Sequence, residues 1–181
     1  NMGGAEVGQG LRTIVAQIAG EALKIAPEKI RVYTELDTQF SPYEWQTIGS
    51  MFTTQGGRAI IRAADKLILI LKQTAAQVLK TDIDFLDYDG EFVFLKNDPS
   101  IRVSIEDIAR GYITSDGITI GEVAQSVSDA RLPRYSNPDK NGQGSMGVEY
   151  TFGAQAAEIR IEKKTGKIFV DHFTSVFDVG Q

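Results

Sequence analysis

The chain has 181 residues and a mass of 19.8 kDa, enough for one domain or two small ones and for a core that takes roughly 70% of the unfolded surface out of water. Hydrophobic residues make up 42%, charged residues 24% and aromatics 9%, which excludes a disordered, fibrous or coiled-coil chain. Twenty-four acidic residues against 19 basic ones give a net charge of −5, with the basic residues standing singly between acids, so no basic face is offered to nucleic acid.

The chain has no cysteine, so by itself it can build no disulfide, thiolate zinc site, iron–sulfur cluster or cysteine nucleophile, and the composition fits a reducing cytoplasm. Its longest apolar run, Leu67 to Leu71, falls far short of the roughly 20 residues that span a bilayer. No charged-then-apolar segment at the amino terminus suggests a signal peptide. A soluble, cytoplasmic protein is expected.

Asn1 to Gly10 reads NMGGAEVGQG and runs straight into a helical pattern. Apolar residues at Leu11, Ile14, Val15, Ile18, Ala22 and Ile25 form the stripe of an amphipathic helix that Pro27 ends. Glu28 to Thr34 alternates, Ile30 and Val32 against Arg31 and Tyr33, which predicts a half-buried strand. Glu35 to Ser50 is loop by composition, and its aromatics Phe40, Tyr43 and Trp45 are expected to pack against the rest of the chain. A second, longer helix is predicted from Thr53 to Leu79. Gly56, Gly57, Ala59 and Ala63 in its first turns permit a close helix approach, and the all-apolar Ile68 to Leu71 is expected to be its most buried part.

Farther on, Asp89-Gly90 separates the runs Ile83–Tyr88 and Phe92–Leu95, the signature of a hairpin with a type I′ turn. Asn97-Asp98-Pro99 closes the second strand. Ser104 with Asp107 reads as a capping box opening a short helix through Arg110, terminated by Gly111. Residues 129–147 are loop by composition, either a substrate-facing loop or a surface connection. Ala157, Ile159 and Ile161 alternate with charged residues, Lys164-Thr165-Gly166 makes a turn, and Ile168 and Val170 return. The expected fold class is therefore α+β, two amphipathic helices packed on mixed or antiparallel strands and hairpins. It divides into a first part over 1–128, a loop over 129–147 and a hairpin over 148–181.

Two places carry chemistry. Gly8-Gln9-Gly10 stands at the start of the first helix, where unpaired N–H groups and the positive dipole end can hold an oxyanion. Gln9 adds an amide with donors and an acceptor, although glycines before a helix also serve as plain turns. Gly49-Ser50-Met51-Phe52-Thr53-Thr54 enters the second helix in the same way, so both entrances can converge on one anionic group, against the alternative of ordinary capping. Glu6, two residues before the Gly-Gln-Gly turn, is favourable there for dipole reasons alone. The single histidine, His172, excludes a histidine metal cluster and is expected at the surface or at the edge of the core rather than in a catalytic role. No G-x-S-x-G elbow is present.

Glu6-Val7-Gly8-Gln9-Gly10-Leu11-x-Thr13, Ala16-Gln17-Ile18-Ala19, Asp37-Thr38 and Gly49-Ser50-x-x-Thr53 with Gly57 and Ala59 follow one another in an order that resembles the molybdenum-cofactor-binding large subunit of the xanthine dehydrogenase and aldehyde oxidase family, the molybdenum hydroxylases. Tyr150-Thr151-Phe152-Gly153-Ala154, Ala157-Glu158-Ile159, Thr165-Gly166 and Asp178-Val179-Gly180 resemble the next block of that family. The resemblance implies an oxidoreductase that hydroxylates aldehydes, purines or N-heterocycles with water as the oxygen source. It also implies a molybdenum–molybdopterin cofactor, as such or as a dinucleotide, and 2Fe–2S and FAD groups on partner domains or subunits.

Carried over by position, the cofactor-binding residues are Gly8, Gln9 and Gly10 at the first entrance and Ser50, Met51, Phe52 and Thr53 at the second. No metal ligand and no catalytic residue is carried over. The family's catalytic glutamate belongs to a Gly-Glu-Pro-type segment that this sequence does not contain. Met51 stands where the family commonly shows arginine, and Gln155 where histidine is frequent. The chain is therefore expected to be a fragment of a longer catalytic subunit, inactive in isolation. The alternative is a non-catalytic scaffold domain that binds a small ligand or phosphate.

Overall fold

The computed structural model describes all residues except 36, 44–46, 48, 131–135, 146, 148–149 and 180–181. The chain forms two compact units, Asn1–Arg131 and Leu132–Gln181.

In the first unit, helix α1 spans Leu11–Leu23, a 3-10 turn covers Pro27–Lys29 and the long helix α2 runs over Met51–Leu79. A second 3-10 turn, Ile83–Phe85, leads into β1 (Leu86–Tyr88), β2 (Phe92–Leu95) and β3 (Asp98–Ser104), which form an antiparallel sheet in that order. Helix α3 (Ile105–Ile108) then precedes the antiparallel pair β4 (Arg110–Ile113) and β5 (Thr119–Val123). The mixture of helices and antiparallel sheets is the α+β class expected.

Helix α2, about 44 Å long at 1.5 Å per residue, is the spine shared by two apolar clusters. Its first half contributes Phe52 and Ile60, which pack with Leu11 and Val15 of α1. Its second half contributes Leu71 and Ala75, which pack with Leu86, Tyr88, Val93, Val103 and Ile108. The small residues at the start of α2 are used as the sequence predicts. A Cβ on Gly57 would stand 3.3 Å from Ile18 Cδ1 of α1, so its absence eases the approach of the two helices, while one on Gly56 would stand 2.9 Å from the ring of Phe52 in α2 itself.

The end of α1 is tied to the first hairpin. Lys24 closes the helix in the left-handed conformation and donates from Nζ to the Tyr88 carbonyl at 2.9 Å. Tyr88 Oη donates to the Leu23 carbonyl at 2.8 Å. Burial, and then the negative charge of Asp89, push the Tyr88 phenol above its ordinary pKa, so it remains a donor. Gly90, at φ +102°, lies so close that a Cβ there would meet the Lys24 carbonyl oxygen.

Beyond β5 the chain runs extended beside α2, with Ser126 Oγ donating to the Ala63 carbonyl at 2.7 Å and Lys66 Nζ donating to the Val127 carbonyl at 3.0 Å.

The second unit is an antiparallel hairpin of β6 (Gly153–Ile161) and β7 (Ile168–Phe177). By register one face carries Ile159, Ile161, Ile168, Val170, Phe173 and Phe177, all exposed. The other face carries Glu158, His172 and the Arg160–Asp171 ion pair at 3.0 Å.

Several expectations are corrected. Residues 30–34 alternate in burial as predicted but form no strand. The Tyr33 carbonyl accepts one backbone bond, from Met2 N–H at 2.9 Å, and alternation without a ladder is only an extended segment. Phe40 and Tyr43 are exposed, at 71% and 87%, rather than packed away, and Trp45 lies outside the described residues. Helix α1 ends at Leu23, short of Pro27, and α2 begins at Met51, two residues before the predicted Thr53. Ile68 to Leu71 is not its most buried stretch: Leu71 is buried while Leu69 is 50% exposed, because only one side of α2 meets the sheet.

The Asp89-Gly90 hairpin forms, but its turn is not type I′. Only Gly90 has positive φ, and Asp89 Oδ1 accepts from the N–H groups of Glu91 and Phe92 instead. Helix α3 stops at Ile108, and Arg110 and Gly111 belong to β4. Strands β3, β4 and β5 carry no prediction from the sequence. Ser104 caps α3 as expected, accepting from Asp107 N–H at 3.1 Å.

Candidate functional site

The amino-terminal ends of α1 and α2 open onto one cavity of about 330 Å³. Gln9, Ser50, Phe52 and Thr53 line it, together with Val7, Leu11, Ile14, Thr47 and Gly49. Gly8, Gly10 and Met51, the remaining carried-over positions, adjoin these residues in the chain without lining the cavity. Phe52 is buried in the α1–α2 cluster and forms a wall. Thr47 is the residue that sequence reasoning missed. Its hydroxyl accepts from Ala5 N–H at 3.1 Å, so it ties the amino-terminal segment to the start of α2, and a threonine in a loop of mixed composition carries no signal for that.

The two entrances are built differently. At α1, Gly8 (φ +101°) and Gly10 (φ +80°) bend the chain around the carboxylate of Glu6. Glu6 Oε1 accepts from the N–H groups of Gly8 at 2.9 Å and Gly10 at 3.2 Å, and Oε2 accepts from Arg12 N–H at 3.1 Å. The helix end predicted to hold an external anion is thus already served by an acid of the chain itself. The backbone donors, that of Arg12 foremost and that of Gly8 next, hold the Glu6 carboxyl below the usual range. Gln9 is clasped as well: its Oε1 accepts from Val7 N–H at 2.7 Å and its Nε2 donates to the Ala5 carbonyl at 2.8 Å.

At α2, Ser50 occupies the cap position in the left-handed conformation (φ 56°, ψ 13°), makes no side-chain cap, and is followed by a first turn without an acidic residue. The first turn of this 29-residue helix thus carries no carboxylate of its own to offset the positive end. The left-handed cap followed by helical residues turns successive N–H groups toward one concavity, an arrangement that suits anions.

Among the described residues the polar lining consists of an amide and hydroxyls, with no carboxylate, imidazole or cation. Such a set binds and orients, and does not move protons. Among the described residues no group of three or more His, Asp or Glu side chains is placed to hold a metal ion, and no helix is long and apolar enough to cross a membrane. A larger cavity of about 660 Å³ lies beside Ala19, Ala59, Ala63 and Val127, away from both glycine turns.

Comparison with known proteins places this geometry in context. The family model described as the molybdopterin cofactor-binding domain matches residues 1–181. The gamma subunit of the 6-hydroxypseudooxynicotine dehydrogenase complex of Paenarthrobacter nicotinovorans is 29% identical over 99% of this chain and 21% of its own length. The carbon monoxide dehydrogenase large chain of Hydrogenophaga pseudoflava is also 29% identical, over 99% of this chain and 20% of its own. Among solved structures, the reconstituted CO dehydrogenase from Oligotropha carboxidovorans superimposes with a TM-score of 0.75 at 25% identity, covering 98% of this chain and 20% of that one. Quinoline 2-oxidoreductase from Pseudomonas putida 86, at 20% identity and a TM-score of 0.65 over 98% of this chain and 21% of that one, shares the fold. The chain spans about a fifth of the length of these relatives.

Proposed function

The chain belongs to the molybdopterin cofactor-binding domain family, and from that premise we propose that it serves as one segment of the large subunit of a molybdenum hydroxylase, its cavity between the α1 and α2 entrances holding part of the cofactor. The observation that carries this reading is the cavity itself, where two helix amino-termini meet and the polar side chains lining it, among the described residues, are an amide and hydroxyls.

The residues fit such a group. Gly49, which lines the cavity, has no atom within 4 Å of where a Cβ would stand, so a ligand can lie against the bare backbone there. Neutral donors beside an uncapped helix end suit a phosphate and the amide edges of a pterin. A volume of about 330 Å³ is at the low end for small-ligand sites, so this segment takes one portion of the cofactor and other segments take the rest.

Residue roles follow from position. Gln9 presents its amide, Ser50, Met51 and Thr53 present the N–H groups and hydroxyls of the α2 start, Phe52 walls the cavity, and Gly8 and Gly10 shape the turn. When bound, the cofactor supplies the redox chemistry of hydroxylation, with water as the oxygen source. This chain holds and orients it, and the proton-transfer glutamate comes from elsewhere in the subunit. Iron–sulfur and flavin partners and a cytoplasmic location complete the proposal. The names "complex subunit gamma" and "large chain" describe relatives that are parts of assemblies, which supports the partner reading.

The relatives' names mention carbon monoxide, hypoxanthine and nicotine, chemically unlike compounds. A segment shared at near 28–29% identity across them fits a part that handles the common cofactor more than one that selects the substrate. Purified with its partner subunits, the protein is expected to carry stoichiometric molybdenum, and the 181-residue chain alone is expected to carry none and to oxidise no substrate. Elemental analysis checks both. Stoichiometric molybdenum in the isolated chain, or none in the assembly, overturns the proposal.

A further inference from the structure

We infer that Glu6 is a positioning residue for Gln9, fixing the turn through which Gln9 is presented to the cavity. The inference rests on the proposed function and goes beyond it by adding a residue that does not line the cavity.

Three bonds run from the Glu6 carboxylate to the backbone on both sides of Gln9: Oε1 accepts from Gly8 and Gly10, the residues immediately before and after it, and Oε2 accepts from Arg12 in the first turn of α1. Gly8 and Gly10 both have positive φ and open space where a Cβ would be. Nothing in their own side chains restrains this turn, and glycine populates many backbone states when unrestrained. The Glu6 carboxylate supplies the restraint.

The amide of Gln9 is fixed in sense as well as in place. A backbone carbonyl only accepts and a backbone N–H only donates, so the bonds to the Ala5 carbonyl (2.8 Å) and from Val7 N–H (2.7 Å) assign nitrogen and oxygen without ambiguity. Each uses half of what the amide offers, leaving one N–H and one lone pair at a residue that lines the cavity. Ala5 is anchored in turn by its N–H donating to Thr47 Oγ1 at 3.1 Å. Glu6 lies between the two backbone groups that Gln9 clasps, so the carboxylate and the amide close interlocking loops within residues 5–12. A ligand meeting this amide meets a donor and an acceptor already aimed, with little left to order on binding.

The test places Glu6→Ala, Gln9→Ala and the double variant in the assembled holoenzyme. It reads molybdenum retained per chain after gel filtration, with the melting temperature of the cofactor-free assembly as the measure of folding. Each single variant is expected to retain about tenfold less molybdenum, and the double variant about as little as either single, because both act through one presented group. The cofactor-free melting temperature is expected to move by less than about 2 °C. Glu6→Gln, which keeps an acceptor for Gly8 and Gly10 but sets an NH2 against Arg12 N–H, is expected to recover part of the loss.

Wild-type retention in Glu6→Ala alongside loss in Gln9→Ala overturns the inference and leaves the proposed function standing. Losses that multiply in the double variant, or that track a fall in the cofactor-free melting temperature, also overturn it by making Glu6 merely structural. Unchanged retention in both single variants removes Gln9 from the proposed site and the inference with it, and an assembly without molybdenum removes both.

Discussion

Glu6 shows how a single side chain decides what a helix end can do. Its folded pKa is held below that of an unfolded chain, so the order it gives the turn is fully present above the ordinary glutamate range and is lost as pH falls through the depressed folded value. The amide proton shifts of Gly8, Gly10 and Arg12, followed by NMR on acidification, are expected to move together and only below that range. A transition at the ordinary glutamate pKa would show that the bonds are not made in solution. At Gly90 a different restraint applies. Its φ of +102° and its contact with the Lys24 carbonyl leave no room for a methyl group, and Gly90→Ala is expected to cost about 2–4 kcal/mol from backbone strain and overpacking, read as a lower urea midpoint.

At the scale of elements, α3 depends on its cap. Ser104→Ala removes the acceptor for Asp107 N–H and is expected to cost about 1 kcal/mol. Leu86→Ala, at a fully buried β1 position beside α2, is expected to cost about 2–5 kcal/mol. Both are checked by chemical denaturation of the separately expressed unit Asn1–Arg131. These elements also show where the sequence was readable. The stripes of α1 and α2, the Asp89-Gly90 turn and the alternation around Ile159 are local patterns, and each marks a real element. Strand β3 was hidden because its alternation is only Ile101 and Val103 against Arg102 and Ser104, directly after Pro99, too short a pattern to mark a strand, and only Val103 is buried. Residues 30–34 misled for the opposite reason: alternation reports which side faces the core, not whether a neighbouring strand exists. The same limit governs the site. Glycines before both helices were legible as entrances, but the capture of one entrance by Glu6 depends on a backbone path that composition does not encode.

Over the whole molecule, the two units differ in what sustains them. Asn1–Arg131 encloses both apolar clusters, whereas the second unit, described by itself, shows a hairpin held by its ladder and turn, and a two-stranded hairpin on its own is marginal in water. Expressed separately, the first unit is expected to melt cooperatively, and a peptide of the second to show little persistent structure by circular dichroism and amide exchange. A cooperative melt of that peptide would contradict this. Strands β6 and β7 pair only with each other among the described residues, so each presents a free edge beside an apolar face. Free edges are templates for pairing with another copy, and the lysines at 163, 164 and 167 guard only the tip of the hairpin. The hairpin therefore makes self-association a matter of concentration: the more crowded the chains, the sooner one free edge meets another. Overproduced alone, the protein is expected to accumulate as β-rich, dye-binding aggregates, and Ile159→Lys is expected to raise the soluble yield.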